Sequence, residues 1–461
     1  MGYMENYEEW LANPYFDEDT KKELESIRGD ENEIKERFYA DLEFGTAGLR
    51  GIIGAGTNRM NVYTVRKATQ GLANYILSQK GEKKGVAIAF DSRRMSPEFA
   101  DEAACCLAAN GIKAYVFESL RPTPELSFAV RELGCISGIN VTASHNPPEY
   151  NGYKVYWEDG AQITPPHDTG IMDEVKAVTD YATVKTMPKK EAVKAGLYEN
   201  IGAAIDDRYM EELKKNVLHP QCIKEVEKDL RIVYTPLHGT GNIPVRRVLK
   251  ELGFTNVFVV PEQELPDGEF PTVSYPNPEA REAFELALAL AKEKDADLVL
   301  ATDPDADRLG VYVKDSKSGE YICLTGNMSG SFLADYEIGQ KLALEGKLPE
   351  DGYMVKTIVT TNLVDAIAKY YGIKVVECLT GFKWIGREIL KSEQSGKGTY
   401  LFGFEESYGC LIGTHARDKD GIVASMALCE AAAYYKKRGM TLWDAMINMY
   451  QKYGYIQLIE N

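Results

Sequence analysis

Short apolar runs alternate with helix-like segments along the chain, and the same succession occurs three times. Each copy contains a strand, a helix, a second strand, another helix and a third strand that ends in a polar loop. The predicted strands lie at 85–90, 113–119 and 134–148, at 231–236, 256–262 and 296–308, and at 353–360, 374–381 and 398–409. Strands that alternate with helices indicate parallel sheets. We therefore predict an α/β fold of three similar domains, whose mixed, largely parallel sheets surround a central active-site cleft.

The polar loops that follow the three third strands differ in chemistry. The first contains Ser144 and His145, the second contains three aspartates, and the third contains Glu405, Glu406 and Ser407. Folding stability alone does not require three different polar endings at matching positions. Because ligands of parallel sheets bind beyond the carboxyl ends of the strands, we predict that the three loops serve one shared site.

The positions of the three copies predict the domain boundaries. A helical arm rich in Glu and Lys occupies residues 1–40, and a helix is predicted over 62–80. The predicted divisions are domain I with the serine loop at 1–181, a helical connector at 182–226, domain II with the aspartate loop at 227–324, domain III with the third loop at 325–440, and the stub of a further domain at 441–461.

Composition narrows the classes of function. The chain has 53 Lys and Arg against 70 Asp and Glu, a net charge of −17, so binding to nucleic acid or to an acidic membrane is not expected. No apolar run approaches the ~18 residues of a membrane helix, and the acidic N-terminus does not resemble a signal peptide. The eight cysteines are scattered without C-x-x-C spacing, which indicates neither a disulfide framework nor a zinc site. We expect a cytoplasmic protein.

The serine loop, Thr142–Pro147, follows an apolar strand and is stopped by two prolines. This predicts that Ser144 lies on an exposed turn, with its hydroxyl clear of the sheet and with the basic Lys154 ten residues farther on. A G-x-S-x-G elbow is absent, which disfavours an acyl-transfer serine. A phosphorylated serine and a simple polar turn both stay open on these residues alone.

The aspartate loop places Asp303, Asp305 and Asp307 at alternate positions, so in an extended segment all three carboxylates face one side. Three adjacent like charges are unfavourable unless a cation binds them, and oxygen ligands suit Mg²⁺ or Ca²⁺. An EF-hand is excluded because Arg308 stands where Gly is required and Lys314 where the bidentate Glu belongs. The sequence therefore predicts a magnesium site.

Three weaker signals accompany these loops. Glu405 and Ser407 point the same way in an extended segment and could take neighbouring sugar hydroxyls, although short acidic loops are often merely solvated. Lys383, after Thr380 and Gly381, begins a predicted helix, whose free N–H groups suit phosphate. The glycine-rich segment 45–51 contains Arg50, which could bind phosphate in bidentate fashion, but this segment fits neither the P-loop nor the G-x-G-x-x-G pattern.

Together these segments resemble the α-D-phosphohexomutase family, and most closely its branch of phosphoglucomutases and phosphomannomutases. The resemblance spans nearly the whole chain and implies a phosphorylated Ser144 and a Mg²⁺ loop. The roles it implies are catalysis by Ser144, His145, Lys154 and Arg308, metal binding by Ser144, Asp303, Asp305 and Asp307, and substrate binding by Arg50, Thr380, Gly381, Lys383, Glu405, Ser407 and Lys419. The family's C-terminal Arg-x-Ser-Gly-Thr-Glu-Pro phosphate loop does not occur in the 461 residues, and we expect this chain to lack that domain.

The resemblance implies an isomerase that interconverts hexose 1-phosphate and hexose 6-phosphate, phosphoglucomutase first, with Mg²⁺ as cofactor and glucose 1,6-bisphosphate as activator and intermediate. Mannose and pentose phosphates stay open as substrates, and the chain is expected to be a monomer or a dimer. Two other classes of protein remain as alternatives. A phosphatase of the aspartyl-phosphate type would use Asp303 as its nucleophile, and a non-catalytic protein would only bind sugar phosphates.

Overall fold

The computed structural model describes residues 2–43 and 48–454, which form two compact units. The first unit comprises the chain up to Leu120 together with Ala129–Glu158 and Gln162–Gly202. The second comprises Arg121–Phe128, Asp159–Ala161 and the chain from Ala203 onward. Each unit is described by itself. Residues 45–47 of the predicted glycine-rich loop and the tail after Gly454 lie outside the described residues.

The first unit begins with three short helices, which confirm the helical arm predicted for residues 1–40: α1 (Tyr3–Ala12), α2 (Glu18–Ser26) and α3 (Glu31–Phe38). Asp17 accepts a hydrogen bond from the Thr20 N–H at the start of α2, and such a cap satisfies an amide that has no helical partner. The arm buries an aromatic cluster of its own, in which Trp10 stacks on Phe16 with ring centroids 4.1 Å apart.

The remainder of the first unit is a six-stranded sheet with helices. The strands are β1 (Leu49–Ile52), β2 (Val86–Phe90), β3 (Ala114–Phe117), β4 (Ser137–Val141), β5 (Tyr150–Trp157) and β6 (Tyr198–Ile201), and the helices are α4 (Val62–Ser78), α5 (Ser96–Ala109), α6 (Thr123–Glu132), α7 (His167–Ala177) and α8 (Lys189–Lys194). The part of α6 up to Phe128 belongs to the second unit. The spatial order is β1-β5-β4-β2-β3-β6. Every residue of β2 and of β4 is buried, which is typical of strands covered on both faces.

The second unit contains two sheets. The first has strands β7 (Ile232–Thr235), β8 (Val257–Val259), β9 (Leu298–Thr302), β10 (Leu309–Lys314) and β11 (Tyr321–Leu324), with helices α9 (Ala203–Lys214), α10 (Pro220–Val226), α11 (Asn242–Leu252), α12 (Pro261–Glu264) and α13 (Glu285–Lys294). The second has strands β12 (Gly352–Thr357), β13 (Lys374–Cys378), β14 (Thr399–Glu405) and β15 (Gly409–Leu411), with helices α14 (Gly326–Glu345), α15 (Leu363–Tyr371), α16 (Phe382–Ser395), α17 (Gly421–Lys436) and α18 (Leu442–Tyr453).

All three sheets share one arrangement of four strands. The orders β3-β2-β4-β5, β8-β7-β9-β10 and β13-β12-β14-β15 each hold three parallel strands and one antiparallel strand, which follows the third parallel strand along the chain. The predicted fold class of three similar α/β domains with mixed, largely parallel sheets is therefore confirmed. Each predicted polar loop joins a third parallel strand to its antiparallel neighbour.

The segment 182–226, predicted as a helical connector, is only partly helical. It contains α8, α9 and α10, but Tyr198–Ile201 forms β6 and pairs in parallel with β3. The reason is the open edge of β3, whose amide and carbonyl groups take partners from β6. At the other end of the chain, the segment predicted as a stub at 441–461 contains the helix α18. Among the described residues, no helix combines the length and the apolar content that crossing a membrane requires.

Candidate active site

Each of the three hairpin loops contains one non-glycine residue in the left-handed region of backbone conformation. These residues are Ser144 with φ 51°, Ala306 with φ 53° and Tyr408 with φ 66°. A left-handed non-glycine residue costs roughly 1–3 kcal/mol and persists only where the surrounding contacts fix it. The strain recurs at the same place in all three sheets. This indicates that the conformations of the loops serve a purpose beyond reversing the direction of the chain.

A buried arginine fixes the serine loop of the first unit. Arg93 follows β2, is 1% exposed, and donates hydrogen bonds from Nη2 to the carbonyl oxygen of Ser144 at 2.6 Å and to that of Asn146. Its Nη1 donates to the carbonyl oxygens of Pro147 at 2.8 Å and Tyr150 at 3.1 Å. One guanidinium therefore donates hydrogen bonds to four backbone carbonyl oxygens and fixes the conformation of the serine loop.

A second network orients the serine itself. The Thr142 hydroxyl donates to Oδ2 of the fully buried Asp91 at 2.6 Å, and the Ser144 N–H donates to the Thr142 hydroxyl oxygen at 2.8 Å. Asp91 also lies 3.4 Å from the guanidinium of Arg93. Burial raises the pKa of Asp91, while Arg93 acts in the opposite direction. This chain of contacts connects the end of β2 to the backbone of Ser144.

The prediction of an exposed turn at Ser144 is wrong, because the residue is only 3% exposed. Its carbonyl is drawn inward to Arg93, so the turn folds back on the sheet. Oγ of Ser144 lies 3.3 Å from Nδ1 of His145. Lys154 is on β5, 4% exposed and opposite Asn140 of β4, and is therefore a buried lysine of the same sheet.

Arg50 contacts the serine loop from the edge strand β1, which pairs with β5. It lies on β1 opposite Gly152 of β5, and its Nη1 donates to Oδ1 of Asn146 at 2.9 Å. Addition of a Cβ to Gly152 would bring it within 2.4 Å of the Thr142 carbonyl oxygen, so this position requires glycine for the close approach of the loop. The structure thus brings Ser144, His145, Arg50 and the Asn146 side chain into one group.

The aspartate loop brings its three carboxylates together in the second unit. Carboxylate oxygens of Asp303, Asp305 and Asp307 all lie within 4.8 Å of one another, and the three residues are at most 2% exposed. The predicted extended conformation is wrong: the segment is a tight turn, in which the Ala306 N–H donates to the Asp303 carbonyl oxygen at 2.9 Å. The left-handed Ala306, rather than simple alternation, makes the carboxylates converge.

The electrostatics of this cluster fit a divalent cation. Burial raises the pKa of Asp303 well above its ordinary value, and the charges of Asp305 and Asp307 raise it further. Three buried carboxylates in contact repel one another strongly unless a cation lies between them. Oxygen ligands in such a set are those of Mg²⁺ or Ca²⁺. Within residues 2–43 and 48–454 this is the one group of three acidic, His or Cys side chains close enough to hold a metal.

Lys419 connects the aspartate cluster to the third loop. Its Nζ lies 3.1 Å from Oδ2 of Asp307, 3.4 Å from Oδ1 of Asp418 and 3.8 Å from Oε2 of Glu405. Burial alone would lower the pKa of Lys419, but the carboxylates of Asp307, Asp418 and Glu405 outweigh it and raise the pKa. The ammonium group therefore stays charged.

Glycines allow this close approach. A Cβ on Gly409 would lie 1.9 Å from Cδ of Lys419, so the lysine stem passes directly over the backbone of β15. A Cβ on Gly421 would lie 2.6 Å from the Ala306 carbonyl oxygen, to which the Gly421 N–H donates at 3.0 Å. The aspartate loop and the start of α17 are thereby locked in one arrangement.

The third loop separates its two glutamates, as its sequence predicts. Glu405 is 4% exposed, and burial raises its pKa against the opposing charge of Lys419. Glu406 instead accepts from the hydroxyls of Thr357 at 3.1 Å and Thr360 at 3.2 Å. Ser407 is partly exposed between them and the left-handed Tyr408.

The remaining predicted substrate residues lie around the start of α16. Thr380 is exposed, and Lys383 is in the first turn of α16, with Nζ 5.4 Å from the ring centroid of Trp384. The N–H of Gly381, the residue that precedes α16, donates to Oε1 of Glu405 at 2.9 Å. The second strand and the third strand of this sheet are therefore connected through Glu405.

The backbone of Arg308 contacts the aspartate cluster. Its N–H donates to Oδ1 of Asp303 at 3.1 Å, while its guanidinium pairs with the carboxylate of Glu279. The structure therefore brings the three aspartates, Arg308, Lys419 and Glu405 together within the second unit. Ser144, His145, Lys154 and Arg50 lie in the first unit.

Sequence reasoning missed four residues of these networks. Arg93 and Asp91 could have been found, because they follow the first strand of the first copy and so lie at the same sheet edge as the serine loop. Asp418 neighbours Lys419 in a charged run. Thr123, between two prolines, gave no signal, although its hydroxyl donates to Oδ2 of Asp305 at 2.8 Å.

Comparison with known protein families finds matches along most of the chain. Family models of the phosphoglucomutase/phosphomannomutase α/β/α domains I, II and III match residues 41–182, 207–319 and 325–453. These three segments contain the four strands that the sheets share, with the polar loop of each, while β6 and β11 lie outside them. The third model includes α18, which therefore falls within the domain III match.

Individual proteins give the same result. The phosphopentomutase of Homo sapiens is 37% identical over 445 residues, 93% of this chain and 71% of that protein. The phosphoglucomutase of Staphylococcus epidermidis is 37% identical over 425 residues, 92% of this chain and 74% of that protein. A phosphoglucomutase/phosphomannomutase family protein from Burkholderia thailandensis has the same fold, with a TM-score of 0.66 at 23% identity over 86% of this chain and 77% of its own.

Proposed function

We propose that this chain, which belongs to the phosphoglucomutase/phosphomannomutase family, moves a phosphoryl group between the 1-position and the terminal position of a sugar. The observation that carries the proposal is that the chain contains two built loops, each described within its own unit. One is a serine loop held by a buried arginine, and the other is a trio of buried carboxylates suited to a divalent cation. The substrate class is sugar phosphates.

In the proposed reaction Ser144 carries the phosphoryl group that is transferred. The terminal hydroxyl of a sugar 1-phosphate attacks phosphorus, the P–Oγ bond of phosphoserine breaks, and the proton of the attacking hydroxyl passes to a base. Lys154 on β5 and His145 beside Ser144 are the candidates for that proton transfer and for giving a proton to the departing Oγ. The products of this half are a sugar bisphosphate and a serine with a free hydroxyl.

The second half of the reaction reverses these steps with the other phosphate. The bisphosphate reorients, the Ser144 hydroxyl attacks the 1-phosphate, and the sugar leaves with its phosphate on the terminal carbon. The serine is again phosphorylated, so no phosphate is gained or lost. A sugar 1,6-bisphosphate from solution would prime an unphosphorylated chain, which is why we propose glucose 1,6-bisphosphate as activator.

The carboxylates of Asp303, Asp305 and Asp307, with the phosphorylated Ser144, would hold Mg²⁺. When bound, Mg²⁺ supplies positive charge that stabilises the negative oxygens of the phosphoryl group being transferred. Arg308 adds a permanent cation whose backbone is already fixed to Asp303. Phosphoryl transfer depends mainly on such positioning and charge, and the left-handed turn at Ala306 provides the positioning for the aspartates.

Sugar recognition is proposed for the third loop and its neighbours. Glu405 would accept hydrogen bonds from hydroxyls of the sugar ring, and Ser407 would donate hydrogen bonds to them. The contacts of Glu405 with the Gly381 N–H and with Lys419 support this assignment. Lys419, Lys383 and Arg50 are the cations proposed for the phosphate that does not react. Thr380 is exposed at the start of the same region.

Hexose is our first choice of sugar, with glucose as the representative, and pentose is the specific alternative. Relatives named phosphoglucomutase and phosphopentomutase are equally similar to this chain at 37% identity, so both sugars require testing. The assay measures kcat/KM for glucose 1-phosphate, mannose 1-phosphate and ribose 1-phosphate, each with Mg²⁺ and with catalytic glucose 1,6-bisphosphate. We expect the isomeric phosphate as product with no release of inorganic phosphate.

The same assay separates the other two classes. Stoichiometric release of inorganic phosphate would indicate a phosphatase that uses Asp303, and binding by calorimetry without turnover would indicate a sugar-phosphate binder. Isomerisation of ribose 1-phosphate at a kcat/KM above that of glucose 1-phosphate would keep the mutase mechanism and replace hexose by pentose as the substrate.

A further inference from the structure

A short segment of the first α/β copy belongs to the second unit. Residues Arg121–Phe128, which follow β3 and begin α6, are part of the unit that contains the aspartate loop. Thr123 in this segment is fully buried and contacts Asp305 twice. Its hydroxyl donates to Oδ2 of Asp305 at 2.8 Å, and its backbone N–H donates to the Asp305 carbonyl oxygen at 2.9 Å.

The segment around Thr123 is fixed independently of the aspartates. Arg121 forms a bidentate ion pair with Asp206 of α9, with distances of 2.8 Å from Nε to Oδ1 and 2.9 Å from Nη2 to Oδ2. Ser127 donates to the Gly160 carbonyl oxygen at 2.6 Å and accepts from the Arg417 N–H at 2.8 Å. Thr123 is therefore held from both sides, and its hydroxyl is a stationary donor.

A stationary donor matters because the aspartates repel one another. A carboxylate among two like charges lowers its energy by rotating away, and Asp305 is the middle member of the trio. The Thr123 hydroxyl donates to one oxygen of the Asp305 carboxylate. The contact between the Thr123 N–H and the Asp305 carbonyl oxygen fixes the backbone of Asp305. A carboxylate has about four lone-pair sites, so this bond is compatible with metal binding. Partners behind a metal ligand typically change metal affinity by 10–100-fold.

We propose that Thr123 is a positioning residue that orients Asp305 for divalent cation binding. The proposal rests on the proposed function only in taking the aspartate trio as the cation site. Thr123 touches neither the sugar nor the phosphoryl group in this account. It acts through Asp305, and it makes the cation site depend on a segment that lies about 180 residues earlier in the chain.

The test is the affinity of the whole chain for Mn²⁺, read from the electron paramagnetic resonance signal of the free ion, with Mg²⁺ as competitor and no sugar present. Thr123→Val keeps the size of the side chain and removes the donor, and we expect its Kd to rise roughly tenfold. Thr123→Ser keeps the hydroxyl and is expected within about twofold of the natural chain. Thr255→Val, which removes a hydroxyl that donates to the Glu227 carbonyl oxygen elsewhere in the second unit, is the matched control and is expected to bind normally.

A double-mutant cycle shows whether Thr123 acts through Asp305. In the Asp305→Asn background, Thr123→Val is expected to cause no further loss of affinity. Natural affinity in a Thr123→Val chain with natural circular dichroism would overturn the proposal, as would equal losses in Thr123→Val and Thr255→Val. If Thr123→Val does not fold, Thr123→Ala, which also lacks the donor, replaces it with the same criteria. Because no turnover is measured, this result is independent of whether Ser144→Ala abolishes the mutase reaction.

Discussion

The serine loop and the aspartate loop occupy the same place in two similar sheets, but opposite electrostatics hold them. In the serine loop a single buried cation, Arg93, binds neutral carbonyl oxygens, and one carboxylate, Asp91, balances its charge. In the aspartate loop three buried carboxylates meet, and the cations Lys419 and Arg308 lie at their edge. The first loop is complete as a folded structure, whereas the second gains most from a bound ion.

This difference separates the two requirements of phosphoryl transfer. In the proposed reaction, the atom that forms and breaks the covalent bond needs a fixed position, which charge-assisted hydrogen bonds from a rigid guanidinium would provide. The charge that develops in transfer needs a strong field, which a cation held by the buried carboxylates would provide. Changes to the two loops should therefore have different signatures in stability, metal affinity and turnover.

Removal of the serine hydroxyl should have the largest effect on turnover. Ser144→Ala deletes the proposed phosphoryl carrier, and we expect kcat for glucose 1-phosphate isomerisation to fall more than about a thousandfold, as for other enzymes that lose their nucleophile. The Thr142 and Arg93 contacts to the backbone of residue 144 persist, so stability should change little. Ser78→Ala, which removes a hydroxyl from the end of α4, is the matched control and should be fully active. Substantial turnover by Ser144→Ala would refute the mechanism.

Removal of the arginine should affect stability and turnover together. Arg93→Met leaves the carboxylate of Asp91 buried without its cation, and such a loss costs about 3–5 kcal/mol. Four loop carbonyls also lose their donor. We expect the free energy of unfolding in urea to drop by about that amount and kcat to drop at least a hundredfold. Arg94→Met at the exposed neighbouring arginine is the control, and equal losses from both variants would argue against a special role for Arg93.

Neutralisation of one aspartate should have opposite effects with and without metal. Asp303→Asn removes repulsion from the buried trio, so the metal-free chain should be as stable as the natural chain or about 1 kcal/mol more stable. The stabilisation that Mg²⁺ gives to the natural chain should be largely lost in the variant. Thermal unfolding with Mg²⁺ and with a chelator measures both quantities. A variant that is less stable in chelator and stabilised normally by Mg²⁺ would contradict the cation site.

A buried carboxylate outside both loops gives a smaller effect and a reference for burial alone. Burial raises the pKa of Glu337 in α14 from 4.5 to about 7, with Lys341 opposing and Glu430 reinforcing the shift. The pKa of Glu337 is higher in the folded chain than in the unfolded chain. The stabilisation that the protonated carboxyl contributes is therefore complete below pH 4.5 and is lost as the pH rises through 7. The natural chain should therefore lose up to about 3 kcal/mol relative to Glu337→Gln between pH 4.5 and pH 8. Urea unfolding of both chains at several pH values checks this, and a constant difference would contradict it.

The sequence predicts the regular parts of the molecule well because their signals are local. The strands around Ser144 and Asp303 are short apolar runs, and their loops contain turn formers and charges at fixed spacing. The exposure of Ser144 was predicted wrongly because it depends on Arg93, about fifty residues earlier, whose bonds are to backbone carbonyls and leave no pattern of their own.

Two other features could not be read from the sequence for related reasons. β6 forms because β3 has an open edge, which is a property of the sheet and not of the segment 198–201. Thr123 contacts Asp305 because the segment Arg121–Phe128 packs in the second unit, apart from the rest of its α/β copy, and a threonine between prolines is an ordinary turn residue. Long-range contacts of this kind are decided by tertiary packing, and local composition does not encode them.

The most direct test of the account is the location of the phosphoryl group on the protein. The purified chain is incubated with glucose 1,6-bisphosphate and Mg²⁺, and its peptides are mapped by mass spectrometry before and after glucose 1-phosphate is added. The account predicts one phosphoryl group on Ser144 that the sugar monophosphate removes. A phosphoryl group on Asp303, or none on Ser144 in a chain that isomerises the sugar, would contradict it.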